Sequence, residues 1–160
     1  MTSDLITRAS IIVLSLAGLL NACYFTFAYY GRIKKARWVP EILCAREGSS
    51  CVTVVQTPYA RVFGVPNSVL GILYYLILIG WILIGQPGGG MVTVGSLVFA
   101  PLALALEAAS LGTVLLGFYL IHALMAKLHT HCPLCYLGHA LNAALLVLLV
   151  ASVWVGPTMR

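Results

Sequence analysis

The run ASIIVLSLAGLLNACYFTFAYYG, residues 9–31, holds 23 uncharged positions between Arg8 and Arg32. That exceeds the roughly 20 apolar residues a helix needs to cross a hydrocarbon core about 30 Å thick. A secretory signal peptide would need a shorter apolar region and a small-residue cleavage site, and the five aromatics between Tyr24 and Tyr30 fit neither. The rest of the 160 residues agrees: 61% are hydrophobic and 8% charged, against about 45–50% and about 25% in soluble domains. A water-soluble globule is excluded. Disorder is excluded too, because it needs low hydrophobicity and many charges. The net charge of +5 does not mark a nucleic-acid binder, since the nine Lys and Arg border apolar runs instead of forming a basic face.

Three further spans follow from the same reasoning. The charge-free run from Val62 to Leu106 is broken by Gly85-Gln86-Pro87-Gly88-Gly89-Gly90, a strong turn signal, so span two covers about 67–84. Met91 to Ala126 would make a helix of about 54 Å, and Pro101 divides it. Val92 to Ala100 reads as an interfacial or tilted lead-in and 102–126 as span three. The last apolar run, 133–155, is span four. The expected fold is an all-α, four-transmembrane-helix bundle, one domain over 1–160, multi-pass in the cell membrane. A cysteine-bearing loop joins helices one and two. Tyr29, Tyr30, Tyr74 and Tyr75 suit an interfacial aromatic belt, and some of them are expected to line a pocket as well.

Four spans put both termini on one side of the membrane. Loop one (32–66) and loop three (127–132) then share the other side, and with them Cys44, Cys51, Cys132 and Cys135. Cys132-Pro133-Leu134-Cys135 opens a helix, where the positive end of the helix dipole stabilises a thiolate. Cys132 is the expected nucleophile. Cys44 and Cys51 flank a polar segment in which Gly48, Ser49 and Ser50 allow tight closure and Arg46 favours a thiolate. A bridge over so short a loop stabilises less than a long one; a swinging disulfide that passes electrons inward explains the pair better. A tetrahedral zinc site of the four cysteines, with His129, His131 and His139 as spare ligands, and a pair of structural disulfides are the alternatives. No metal ligand is assigned. Cys23 reads as a small packed hydrophobe.

Taken with Pro58-Tyr59-Ala60-Arg61-Val62-Phe63-Gly64-Val65-Pro66-Asn67-Ser68-Val69-Leu70-Gly71 and Tyr136, the two cysteine pairs make the chain resemble the vitamin K epoxide reductase family over nearly its whole length. The resemblance implies a four-helix bundle around a quinone of ubiquinone, menaquinone or vitamin K type, with the C-x-x-C at its mouth. It implies that Cys51 forms a transient mixed disulfide with Cys132, that Cys44 exchanges with a redox partner and that Cys135 faces the quinone. Asn67 matches an asparagine that hydrogen-bonds a quinone carbonyl, and Ser68 a serine of the same motif. Four residues after the second active-site cysteine, animal members carry a tyrosine where this chain has His139. That spacing puts His139 on the face of Cys135, and an imidazole also donates to a carbonyl. The departure bears on epoxide reduction; quinone reduction asks only for an acceptor near Cys135.

Seven of the nine basic residues (Arg32, Lys34, Lys35, Arg37, Arg46, Arg61 and Lys127) lie in loops one and three. Short basic loops face the cytoplasm, which places the cysteines inside and both termini outside. Relatives mostly place them in oxidising compartments, although disulfide-rich cytosols occur in hyperthermophiles. The expected activity is that of a membrane thiol oxidase. Electrons pass from a thioredoxin-like protein through Cys44 and Cys51, then Cys132 and Cys135, to a membrane quinone, supporting protein disulfide formation. No thioredoxin-like domain follows span four, so the partner is expected to be a separate chain. Partners are thus this protein, the quinone and the lipid bilayer, with no nucleic acid. A quinone or vitamin K epoxide reductase on the same scaffold, or a Cys-rich metal-binding module, is the alternative.

Overall fold

The computed structural model describes residues 2–32, 51–62, 64–84, 92–94, 97–99 and 101–154. In chain order they form α1 (Thr2–Tyr29), a short α2 (Cys51–Gln56), a 3-10 turn (Pro58–Ala60), the strand pair β1 (Arg61–Val62) and β2 (Val65–Pro66), α3 (Asn67–Leu83), the strand pair β3 (Val92–Val94) and β4 (Leu97–Phe99), α4 (Pro101–Ala126) and α5 (Pro133–Trp154). Proline sets three of the starts. Pro101 and Pro133 open α4 and α5, where a missing N–H is no loss, and Pro66 immediately precedes α3.

The architecture is all-α apart from the two hairpins. Three helical stretches, Leu5–Tyr29, Leu104–Ala126 and Pro133–Ala151, are long and apolar enough to cross a membrane; α3 is apolar but has 17 residues. At 1.5 Å per residue α3 rises about 26 Å, slightly less than a hydrocarbon core. α1 begins seven residues before the expected start at Ala9, because nothing in Thr2–Arg8 breaks a helix, and Arg8 rides on its exposed side.

The stretch 92–100, expected as a helical lead-in, is instead an antiparallel hairpin with Val92 opposite Phe99 and Val94 opposite Leu97. β-branched Val92, Thr93, Val94 and Val98 favour extended backbone, and two residues, Gly95-Ser96, separate the strands, the commonest hairpin loop length.

α1 is the hub. It packs against both α3 and α5, and α4 packs against α5. Ile11, Leu78, Leu145 and Leu149 are fully or almost fully buried where α1, α3 and α5 meet. Small residues on the contact faces permit close approach, the usual basis of helix association in lipid.

Several polar side chains inside the bundle pair across helices, as a medium without water favours. The Tyr74 hydroxyl lies 2.6 Å from Ser110 Oγ, tying α3 to α4, and Ser110 donates to Leu106 O at 2.8 Å. Tyr75 donates to Asn142 Oδ1 at 2.6 Å, tying α3 to α5. Tyr74 and Tyr75 are therefore buried structural groups, 8% and 4% exposed, and not the interfacial belt expected of them. A second cluster closes one end of the bundle: Tyr24, Phe25 and Ala28 of α1, Val55 of α2, Leu124 of α4, and Cys132.

Candidate active site

Cys132 is the N-cap of α5. Its carbonyl accepts from the N–H groups of Cys135 (3.0 Å) and Tyr136 (3.2 Å), and its Sγ accepts from Cys135 N at 3.3 Å. The sulfur thus occupies the place a capping oxygen takes at other helices. Cys135 Sγ donates to Cys132 Sγ across 2.7 Å. That thiol hydrogen bond, helped by the backbone N–H groups of Cys135 and Leu134, holds the Cys132 thiol below its ordinary range, although burial pushes it up.

A lowered value means more thiolate at a given pH, so the alkylation rate of Cys132 should rise with pH through a midpoint below the free-cysteine value of about 8.5. Cys135→Ala removes the donor and should move that midpoint up. A midpoint unmoved by Cys135→Ala would show that the neighbouring thiol does not tune Cys132.

Cys132 is 1% exposed, whereas Cys135 faces a cavity of about 360 Å³ lined by all four long helices and by α2. Asn67, Ser68 and His139 line the same cavity. Asn67 Nδ2 donates to Tyr59 O at 3.3 Å, which leaves Asn67 Oδ1 buried without a partner; His139 Nδ1 is likewise buried and unpartnered. A mostly apolar cavity edged by a few polar side chains suits a flat apolar ligand with oxygen at its edges. At the cysteine end the wall includes Tyr29, whose ring lies 5.3 Å beneath the Arg61 guanidinium and whose carbonyl accepts from Gln56 Nε2 at 2.8 Å.

Of the second cysteine pair, Cys44 lies outside the described residues. Cys51 is the first residue of α2, and its side chain also lies outside the description. Val55, four residues on, packs in the same cluster as Cys132, so α2 sits at the C-x-x-C end of the bundle. Among the described residues no three His, Cys, Asp or Glu side chains gather as metal ligands. Cys23 is half-buried and is absent from the cavity wall.

Sequence reasoning missed polar lining residues such as Asn21 and Asn142, whereas Tyr29, Tyr74 and Tyr75 line the cavity as some of the paired tyrosines were expected to. The signal was present for Asn142, which stands three residues beyond His139 and seven beyond Cys135, on one helix face. Two glycines shape this wall. A Cβ on Gly18 would collide with the Tyr75 ring and come 2.6 Å from its hydroxyl, and one on Gly117 would come 2.7 Å from His139 Nδ1. Only bare backbone lets α1 and α4 approach these two side chains so closely.

No curated protein matches the chain. The sequence model described as "Vitamin K epoxide reductase family" matches residues 9–150.

Proposed function

Because the chain belongs to the vitamin K epoxide reductase family, and so is a redox enzyme of a disulfide-handling family, we propose that Cys132 and Cys135 reduce a quinone of vitamin K type held in the cavity. One observation carries this reading: Cys135 touches Cys132 Sγ at 2.7 Å and also forms part of the cavity wall. Joining the two thiols as a disulfide releases two electrons and two protons. A bound quinone supplies the acceptor for both and leaves as the hydroquinone.

The protein's own residues do the rest. Asn67 gives one Nδ2 hydrogen to Tyr59 O and keeps the other, together with Oδ1. The free hydrogen suits a carbonyl oxygen and Oδ1 suits a hydroxyl, so one side chain serves the ring oxygen in either state. Ser68 and His139 border the same space, and the apolar remainder of the wall keeps water from the thiols. α3 serves as a fourth membrane-crossing helix in this reading, its 17 residues extended by the Arg61–Pro66 hairpin that precedes it.

Cys44 and Cys51 restore the site. The Cys51 thiolate attacks Cys132 Sγ of the oxidised pair, Cys135 leaves as the thiol, and Cys44 then attacks Cys51 to release Cys132. The loop disulfide so formed takes electrons from a separate thioredoxin-like protein. Oxidation of that protein for disulfide formation is the second reading of the same electron flow, favoured by the position of α2 against the Cys132 cluster.

The test is anaerobic. Pre-reduced protein mixed with quinone should bleach about two equivalents of quinone absorbance per chain, one for each cysteine pair, and then stop, and a reduced thioredoxin-like protein should restart it. A quinone spectrum unchanged by the reduced protein would refute the function. Restart by a small dithiol alone, with the protein donor inert, would leave the reductase reading and remove the thiol oxidase.

The basic loops place the cysteine end in the cytoplasm. Alkaline phosphatase, active only when exported, should therefore be active when fused after Arg160 in a bacterial host. An inactive fusion there, with an active one in loop one, reverses the orientation.

A further inference from the structure

Asn142 is the one carboxamide on the face of α5 that carries Cys135 and His139, and nothing in the proposed reaction uses it. The Tyr75 hydroxyl donates to its Oδ1 at 2.6 Å. That bond fixes the amide's rotation and leaves its Nδ2 hydrogens as the group Asn142 has to offer. Both residues line the cavity. Tyr75 is itself held in place by the bare backbone at Gly18.

Depth decides what the pair can reach. α3 and α5 both start at the cysteine end and run away from it. Asn142 lies seven residues beyond Cys135, and Tyr75 eight beyond Asn67, so the pair sits about 10–12 Å deeper than the Cys135 and Asn67 level. A para-quinone has its two oxygens at opposite edges of the ring. With those oxygens roughly 5 Å apart and a hydrogen bond of about 2.9 Å at each, it spans roughly 11 Å between donors. His139 is a turn too shallow for that span, and its Nδ1 is pressed against α4 at Gly117.

We propose that the Asn142 carboxamide, oriented by the Tyr75 hydroxyl, donates to the second oxygen of a para-quinone whose first oxygen meets Asn67. The cavity on this view selects rings with oxygen at both ends over rings with oxygen at one. The proposal rests on the assignment of the cavity to a quinone and names its far pole, with Asn142 as the binding residue and Tyr75 as a positioning residue.

Equilibrium binding, read by quenching of tryptophan fluorescence in the detergent-solubilised full chain with both cysteine pairs oxidised to disulfides, tests it without turnover. The probes are 2-methyl-1,4-naphthoquinone and its single-carbonyl analogue 1-tetralone. The unmodified protein should bind the quinone more tightly by about two- to tenfold, the range for one neutral hydrogen bond. Asn142→Ala should erase that preference by weakening quinone binding alone, leaving 1-tetralone within about twofold and so serving as its own control for folding. Tyr75→Phe should lose part of the preference, and should add nothing in the Asn142→Ala background, as expected for residues that act as a unit. Asn142→Ala weakening both probes equally, or neither, overturns the far pole. Failure of the unmodified protein to bind the quinone saturably removes the quinone assignment itself, an outcome separate from loss of the preference.

Discussion

Cys135→Ser should reduce quinone turnover by at least about a thousandfold with every thiol donor, protein or small, equivalent to about 4 kcal/mol of transition-state stabilisation. Cys132→Ser should do the same. The reason is stoichiometric as much as kinetic: a serine cannot close the disulfide whose formation releases the two electrons, and no other cysteine of the described residues lines the cavity. Cys44→Ser should behave differently, keeping turnover with a small permeant dithiol while losing the protein donor. Steady-state rates measured anaerobically with dithiothreitol separate the cases. Equal loss in Cys44→Ser and Cys135→Ser would deny the loop pair its shuttle role. Quinone binding by Cys135→Ser should survive, because Asn67 and the apolar wall are untouched.

The second large effect is expected at Gly18. An added methyl there meets the Tyr75 ring and hydroxyl, both locked between α1, α3 and α5, so Gly18→Ala should cost about 1–3 kcal/mol as an overpacked contact. Displacing Tyr75 also breaks its bond to Asn142, and quinone affinity should fall with stability. Gly80→Ala supplies the control. Nothing lies within 4 Å of a Cβ at Gly80, and a helical Gly→Ala change gains up to about 1 kcal/mol of propensity. Thermal unfolding in detergent should thus rank Gly80→Ala at or above the unmodified protein and Gly18→Ala clearly below. A Gly18→Ala protein as stable as Gly80→Ala would mean that Tyr75 has room to move.

The long helices were legible because charge and proline mark them plainly. α3, α4 and α5 begin at or beside Asn67, Pro101 and Pro133, positions a reader of the chain can place from Pro66, Pro101 and the C-x-x-C. The start of α1 was not, since Arg8 ends an apolar run without ending a helix. The β3–β4 hairpin is hard to read from sequence because its strands are three residues each and, apart from Thr93, apolar, so period alone does not separate strand from helix.

At the site, the common wall shared by Cys135, Asn67, Ser68 and His139 could be sought from motif and helix spacing. Tyr75 and Asn142 could not be joined that way. Their bond links positions 67 residues apart, and whether paired tyrosines face lipid headgroups or a cavity depends on how α3 is rotated against Gly18 and Ser110. That rotation is a property of the packed bundle, not of α3.

The hydrogen bond between the first long helix and α5 dates the completion of the site. Asn21 of α1 donates through Nδ2 to Leu134 O, in the first turn of α5, at 3.3 Å. α1 is synthesised well before α5, and at 5–20 residues per second the acceptor, 113 residues after the donor, follows it by roughly 6–23 s. During that interval a carboxamide of α1 stands in the bilayer without its final partner, and the chamber has no floor. The two C-x-x-C thiols emerge only with the helix that completes the enclosure. A nascent chain stalled short of residue 133 therefore lacks both Cys135 and the α5 wall of the cavity, and the dithiol and the cavity beside it are completed in one step of biogenesis.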